Sequence, residues 1–255
     1  MDYKIGLKLG TINTQFTDEI LQYYKAGIFH YIELFAISGT FDDTISYWKQ
    51  FDIPFGIHAP HSAAGLNVAC AENRKINEFK IAESIRFADA LKAQYIIFHP
   101  GVNGESEETI TQLSPYADER FLIENKPAHG ISGSFCVGST YEDLKKIIDG
   151  IGRGTGFCLD FGHAICAANT FKKDPFDFIR ELCKLTPRIY HLTDGDFKSE
   201  IDIHPHYGEG SFPLKQLLAF VPPGGMVTNE AQRKNTEDLK EFKQDYQTLK
   251  KILYN

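Results

Sequence analysis

The sequence predicts an α/β protein built as a single (β/α)8 barrel. A short apolar run, a loop of polar or glycine residues and a segment with helical spacing follow one another along the chain, without a sequence repeat. The 255 residues match the ~250 that one such barrel uses. Neither a low-complexity linker nor a break in composition divides the chain, so residues 1–255 are expected to form one domain.

The elements follow in order. Ile5, Leu7 and Leu9 alternate with Gly6 and Lys8, which gives a first strand over residues 3–9. Residues 18–24 read as a helix with Ile20, Leu21 and Tyr24 on one side, and Tyr31 to Phe35 as a second strand. A short helix over 44–51 leads to a third strand, 53–58, ending on His58. Ile76, Phe79, Ala82, Ile85 and Ala88 have helical spacing and mark 71–93 as the longest helix. The fourth strand, 94–101, carries His99 and stops at the Pro100-Gly101 turn; a two-turn crossover at 105–113 ends at Ser114-Pro115. Phe121 to Glu124 is the fifth strand. Ser139-Thr140-Tyr141-Glu142 has capping-box spacing and opens a helix with Leu144, Ile147 and Ile148 inward, closing at Gly150. The sixth strand is 156–160, followed by a helix over 176–185. The seventh strand, 188–192, carries His191; the eighth, 225–230, ends on Glu230; a helix over 236–253 closes the chain.

Composition bounds the function. Hydrophobic residues make up 42% and charged residues 24%, and no apolar run approaches the ~20 residues needed to cross a bilayer. Met1-Asp2-Tyr3-Lys4 leads into a strand rather than a signal-like apolar stretch, so a cytoplasmic protein without a membrane partner is expected. Five cysteines (Cys70, Cys136, Cys158, Cys166, Cys183) lack C-x-x-C spacing and read as reduced, mostly core residues. A formal charge of −7 gives no global attraction to nucleic acid, leaving that role to a local basic groove or to bound cations.

Chemistry concentrates at the strand ends. Asp160 and His163 stand three apart where an apolar run finishes, with Gly162 between them as the residue that tolerates a sharp turn. Alone, this spacing more often marks an Asp capping the next helix, with the His bonded to backbone. His58, His99, Glu124, His191 and Glu230 repeat the pattern, and a barrel gathers its strand C-termini on one face. Imidazoles and carboxylates without cysteine suit Zn²⁺, with Mn²⁺, Co²⁺ or Fe²⁺ as alternatives. In the loop after the seventh strand, extended alternation sends Asp202 and His204 the same way, with His206 in line.

These stretches resemble the endonuclease IV family, the trinuclear-zinc AP endonucleases within the xylose-isomerase-like TIM barrels. The likeness runs from about His58 to Glu230 and rests on several motifs. They are Phe98-His99-Pro100-Gly101, Ile123-Glu124-Asn125, Leu159-Asp160 through His163-Ala164 to Ala167-Ala168, His191-Leu192-Thr193-Asp194, and Asp202-Ile203-His204 ahead of Gly208-Glu209-Gly210. The resemblance implies three zinc ions. His58, His99 and Glu124 would hold one; Glu124, Asp160, His191 and Glu230 a second; His163, Asp202 and His204 a third. His61 is an alternative to His58.

It further implies a phosphoester hydrolase acting on abasic DNA, with Glu124, Asp160 and Glu230 as catalytic candidates. A metal-dependent sugar isomerase or epimerase, needing only Glu124, Asp160, His191 and Glu230, is the alternative. Lys8, His61, Lys126 and Lys198 are candidate substrate contacts. Asp194 is read as an imidazole acceptor or a helix cap, and Glu33 as a pocket residue or a loop cap. Residues 35–43 contain Asp42 and Asp43 and neither Lys nor Arg, where the family carries a basic DNA-penetrating loop.

Overall fold

The computed structural model describes residues 3–130 and 132–254. Eight parallel strands close into a barrel in chain order, with β1 beside β8. The elements are β1 (Lys4–Gly10), α1 (Thr17–Lys25), β2 (Tyr31–Phe35), α2 (Phe41–Trp48), β3 (Phe55–His58), α3 (Arg74–Leu91), β4 (Ile96–Phe98), α4 (Ser106–Leu113) and β5 (Phe121–Glu124). They continue with α5 (Tyr141–Ile151), β6 (Gly156–Asp160), α6 (Phe161–Thr170), α7 (Pro175–Leu182), β7 (Ile189–Leu192), α8 (Leu214–Leu218), β8 (Met226–Asn229) and α9 (Lys240–Tyr254). This is the expected (β/α)8 TIM barrel.

Alternation along each strand sorts the side chains into two populations. Outward-facing residues such as Leu34, Ile57, Phe98, Ile123 and Leu159 pack with the helices in one continuous core. Inward-facing Tyr31, Tyr95, Ile97, Leu122, Cys158 and Ile189 form a separate cluster inside the barrel. Two of the largest fit because a neighbouring strand offers glycine: a Cβ on Gly6 would strike the Tyr31 ring, and one on Gly56 the Tyr95 ring.

Several local expectations are corrected. On α3 the buried residues are Asn77, Ile81, Glu83, Ser84, Phe87 and Ala88, while Ile76 and Phe79 are exposed. Asn77 belongs inside because its amide donates to Asn67 O at 2.7 Å and Gln112 Oε1 at 2.8 Å, so an apolar count alone misplaced the face. On α1, Tyr23 is buried and Leu21 exposed. α2 starts at Phe41, which makes Asp42 and Asp43 part of a first helical turn, where acids favour the helix dipole. Thr140, not Ser139, caps α5, accepting from the Asp143 N–H at 3.3 Å, and the helix ends before Gly152, at φ +70°. α6 and α8 had no counterpart in the sequence reading. α6 lacks an amphipathic stripe because Phe161 to Ala168 are all buried. The five cysteines, all among the described residues, are free thiols, and only Cys158 and Cys166 are buried. No described helix is long and apolar enough to cross a membrane.

Candidate metal centre

The inward cluster continues upward into polar residues of the same parity. Glu33 stands two positions beyond Tyr31, His99 beyond Ile97, Glu124 beyond Leu122, Asp160 beyond Cys158, and His191 beyond Ile189. The register sets Asp160 beside His191 and Phe35 beside His58. His99 and Glu230 each follow the last residue of their strand, and Glu230 N–H still donates to Leu192 O at 3.1 Å. The chain thus switches from apolar to ligating side chains one layer below the barrel mouth.

Among the described residues five groups of side chains bring ligand atoms together, and three of them are His58, His99 and Glu124; Glu124, Asp160, His191 and Glu230; and His163, Asp202 and His204; the other two, Glu33 with His58, His191 and Glu230 and Glu124 with Cys158 and His191, overlap the first two. Glu124 Oε2 lies 3.2 Å from both His58 Nε2 and His99 Nε2, and 3.4 Å from His191 Nδ1. His191 Nδ1 is 2.8 Å from Glu230 Oε1. Asp202 Oδ2 is 3.0 Å from His204 Nε2 and 3.5 Å from His163 Nε2. Atoms bound ~2.1 Å from one tetrahedral ion sit about 3.4 Å apart, so these separations suit shared cations. His99 Nε2, His191 Nδ1 and Asp202 Oδ2 are buried without a hydrogen bond despite those neighbours, because they point past one another rather than at one another. Leaving such atoms unpaired is costly, and a cation at the point of convergence would satisfy them.

The far side of several rings is pinned. His58 Nδ1 meets Ala59 O at 2.7 Å, His163 Nδ1 meets Asn125 O at 2.9 Å, and His191 Nε2 meets Glu33 Oε2 at 3.0 Å. Glu33 Oε2 also accepts from Tyr95 Oη and Thr228 Oγ1, each at 2.9 Å. An imidazole held at one nitrogen presents the other to the centre with its tautomer fixed. Glu33 therefore serves as an imidazole acceptor, one of the two tasks expected of Asp194. Asp194 instead accepts backbone N–H groups of Gly195, Gly208 and Phe212 at 2.8–2.9 Å and shapes the loop after β7.

The Asp160-His163 spacing proves to be that of a helix cap, and the two side chains fall in different candidate donor groups. Asp160 caps α6, accepting from His163 N–H at 2.6 Å, while its carboxylate belongs to a donor group. Gly162 makes no sharp turn, since it lies inside α6. Its value is space: a Cβ there would lie 3.0 Å from Asp202 Oδ2. Asn125 ties β5 to β6 by accepting from Asp160 N–H at 2.7 Å and donating to Asp160 O at 2.9 Å.

Electrostatics show how crowded the acids are. Burial raises the Asp160 carboxyl above its usual range, and Asp202, Glu230 and Glu124 add to this against His163. Burial opposes ionisation of Glu33, yet His191 and Lys8 bring it down to about 2. Burial keeps His99 well below its usual value, a neutral imidazole fit for a cation. For His204 the opposing effect of burial is outweighed by Asp202, which raises it to about 9.

A cavity of about 770 Å³ opens above these groups. Lys8, His61 and Lys126 line it, with His129, Ser132 and Ser134 from the stretch between β5 and α5. Lys8 pairs with Glu230 and stands 3.4 Å from Glu33 Oε1. Lys126 Nζ is 3.2 Å from His163 Nε2. His61 lies between Phe35 and His99, with ring centroids 5.4 and 5.8 Å away, and belongs to none of the donor groups; burial and the nearby His58 lower it to about 4. Lys198 is exposed and does not line the cavity, a correction to its expected contact. His206 points away from the centre, toward Asp245 at 2.9 Å. Asn125 stood in a quoted motif but was given no role, and Thr228 and Asp245 were not singled out; for Thr228, two positions before Glu230, strand parity was the available signal.

A family model described as "Xylose isomerase-like TIM barrel" matches residues 27–252. The curated protein "Probable endonuclease 4" of Thermoplasma volcanium is 30% identical over 202 residues, which cover 71% of this chain and 70% of that protein. The next two relatives of that name are spanned over 65% and 60% of their length. Endonuclease IV from Thermus thermophilus superposes with a TM-score of 0.71 at 17% identity, covering 98% of each chain. A D-tagatose 3-epimerase-like protein gives 0.73 at 21% identity, covering 98% of this chain and 97% of the other. At such identities both solved structures share the fold.

Proposed function

Because the chain belongs to the xylose isomerase-like TIM barrel family, in its endonuclease IV (AP endonuclease family 2) branch, we propose that it is a metal-dependent phosphoester hydrolase. The observation that carries this reading is the linkage of three donor groups around one cavity, two of them sharing Glu124. His58, His99 and Glu124 would hold one zinc ion, Glu124 with Asp160, His191 and Glu230 a second, and His163, Asp202 and His204 a third. Such ions, when bound, supply an activated water at neutral pH and charge stabilisation for a phosphoryl group.

The protein's own groups do the rest. Glu124 Oε2 and Glu230 Oε1 both approach the same nitrogen of His191, Nδ1, at 3.4 and 2.8 Å, so the two carboxylates converge on one point of the centre. Lys8 and Lys126 present ammonium groups to the cavity, where each could receive a phosphoryl oxygen. His61, kept neutral by burial, can exchange hydrogen bonds with a substrate hydroxyl but brings no charge. Ser132 and Ser134 line the same cavity and add hydrogen-bonding hydroxyls.

Abasic DNA is the substrate the family suggests. One observation favours a second reading, a sugar isomerase or epimerase: Asp42 and Asp43 follow β2 where a DNA contact would need cations, and Asp42 is paired with Arg86 at 3.0 Å. In that reading Glu124 and Glu230 would exchange a proton beside a carbonyl. Metal analysis of the purified protein, followed by incubation of the zinc-loaded form with an abasic-site duplex and separately with a ketose panel, tests both. Nicking of the duplex is expected. An intact duplex together with epimerised ketose would overturn the hydrolase reading.

A further inference from the structure

Asp245 lies on α9, a helix that carries none of the proposed metal ligands, and is only 3% exposed. Its carboxylate draws distant segments together. Oδ2 accepts from His206 Nδ1 and from Asn229 Nδ2, each at 2.9 Å, and Oδ1 accepts from the Tyr207 N–H at 3.2 Å. Asn229 immediately precedes Glu230, and His206 follows His204 by two residues. Tyr207 in turn donates its hydroxyl to Leu192 O at 3.1 Å, next to His191.

The loop so held carries strain. His204 has φ +49°, a left-handed conformation uncommon outside glycine. That turn breaks the extended alternation, so His204 faces Asp202 while His206 swings to Asp245. A strained residue persists only where its surroundings over-determine it. Here the Gln232 N–H fixes His204 O at 2.8 Å on one side, and the Asp245 contacts fix the residues just beyond it.

We infer that Asp245 is a positioning residue for the candidate metal centre: through His206, Tyr207 and Asn229 it holds the Asp202–His204 pair in register with His163 and Glu230. The inference rests on the metal-centre reading above and adds a residue that touches neither cation nor substrate. Its removal frees the loop to leave the strained turn, and the cation held by His163, Asp202 and His204 is the one affected.

The test loads chelator-stripped wild type, Asp245→Asn and Asp245→Ala with Zn²⁺, and in parallel with Co²⁺. Bound metal, binding affinity, the Co²⁺ absorption spectrum and circular dichroism are measured. In Asp245→Ala one of the bound ions should lose roughly 10–100-fold in affinity, the range for outer partners of metal ligands, and the Co²⁺ spectrum should lose one component. Asp245→Asn, which retains one acceptor oxygen, should fall between. Wild-type affinity and spectrum in Asp245→Ala overturn the inference. Should that variant not fold, His206→Ala cuts only the loop's side-chain tie, and the same outcomes apply to it. A wild type that takes up no cation overturns the metal reading and this inference together, whereas a wild type that loads and a variant that loads identically overturn this inference alone.

Discussion

Glu124 is where two donor groups meet, and one neighbour decides how well it works with His191. Both carboxylates beside His191 Nδ1 depend on the ring being held from behind, and Glu33 Oε2 does so while satisfying Tyr95 and Thr228. Glu33→Gln is expected to weaken the cation at His191 by roughly 10–100-fold, measured by titrating stripped protein with Zn²⁺; unchanged affinity would show that the ring needs no such support. The corrected placement of the lysines gives a paired test. Lys126→Ala should raise KM for a phosphoester substrate, and Lys198→Ala, on an exposed side chain, should leave both KM and kcat as they were. Of the nine proposed ligands, His58, His99, Glu124, Asp160, His191 and Glu230 stood out because each ends or follows an apolar run, whereas His163, Asp202 and His204 joined them through spacing and the family resemblance. Glu33 was only half legible, since a carboxylate in a strand shows its parity but not which ring it will meet.

At the scale of elements, α6 illustrates two opposed effects in one substitution. Alanine for Gly162 would favour the helix by about 1 kcal/mol. Its Cβ, 3.0 Å from Asp202 Oδ2, would push that carboxylate out of line with His163. Gly162→Ala should therefore leave the melting temperature close to wild type while weakening metal binding, and a variant that binds metal normally would argue against the close fit. Thr140→Ala tests the cap that the sequence misplaced by one residue: loss of its bond to Asp143 N–H should cost about 1 kcal/mol in a denaturant titration, with Ser139→Ala near neutral. α6 itself was invisible to periodicity because a helix buried all round has no polar face to mark its turns. The face of α3 was misread for the converse reason, a buried Asn77 whose burial is offset by hydrogen bonds.

For the whole molecule, the centre joins strands from across the barrel through carboxylates and imidazoles, of which His99 Nε2, His191 Nδ1 and Asp202 Oδ2 are buried without a hydrogen bond. Cations that bind only the folded chain add stability by mass action, about 2.7 kcal/mol at a hundredfold excess over Kd. For a chain of this size chelation should then lower the melting temperature by roughly 5–10 °C, and zinc should restore it. A melting temperature indifferent to chelator would contradict cation binding at these groups.

The sequence by itself determined the barrel and the identity of the residues at its mouth, because strand period and strand ends are local properties written in consecutive residues. Only the tertiary structure decided which of them share a cavity, that His58 rather than His61 joins His99 and Glu124, and that Asp245 on the last helix anchors the loop bearing Asp202 and His204. Those outcomes depend on closure of the sheet, which brings together residues up to 222 positions apart, such as Lys8 and Glu230, and no pattern within one stretch records that distance.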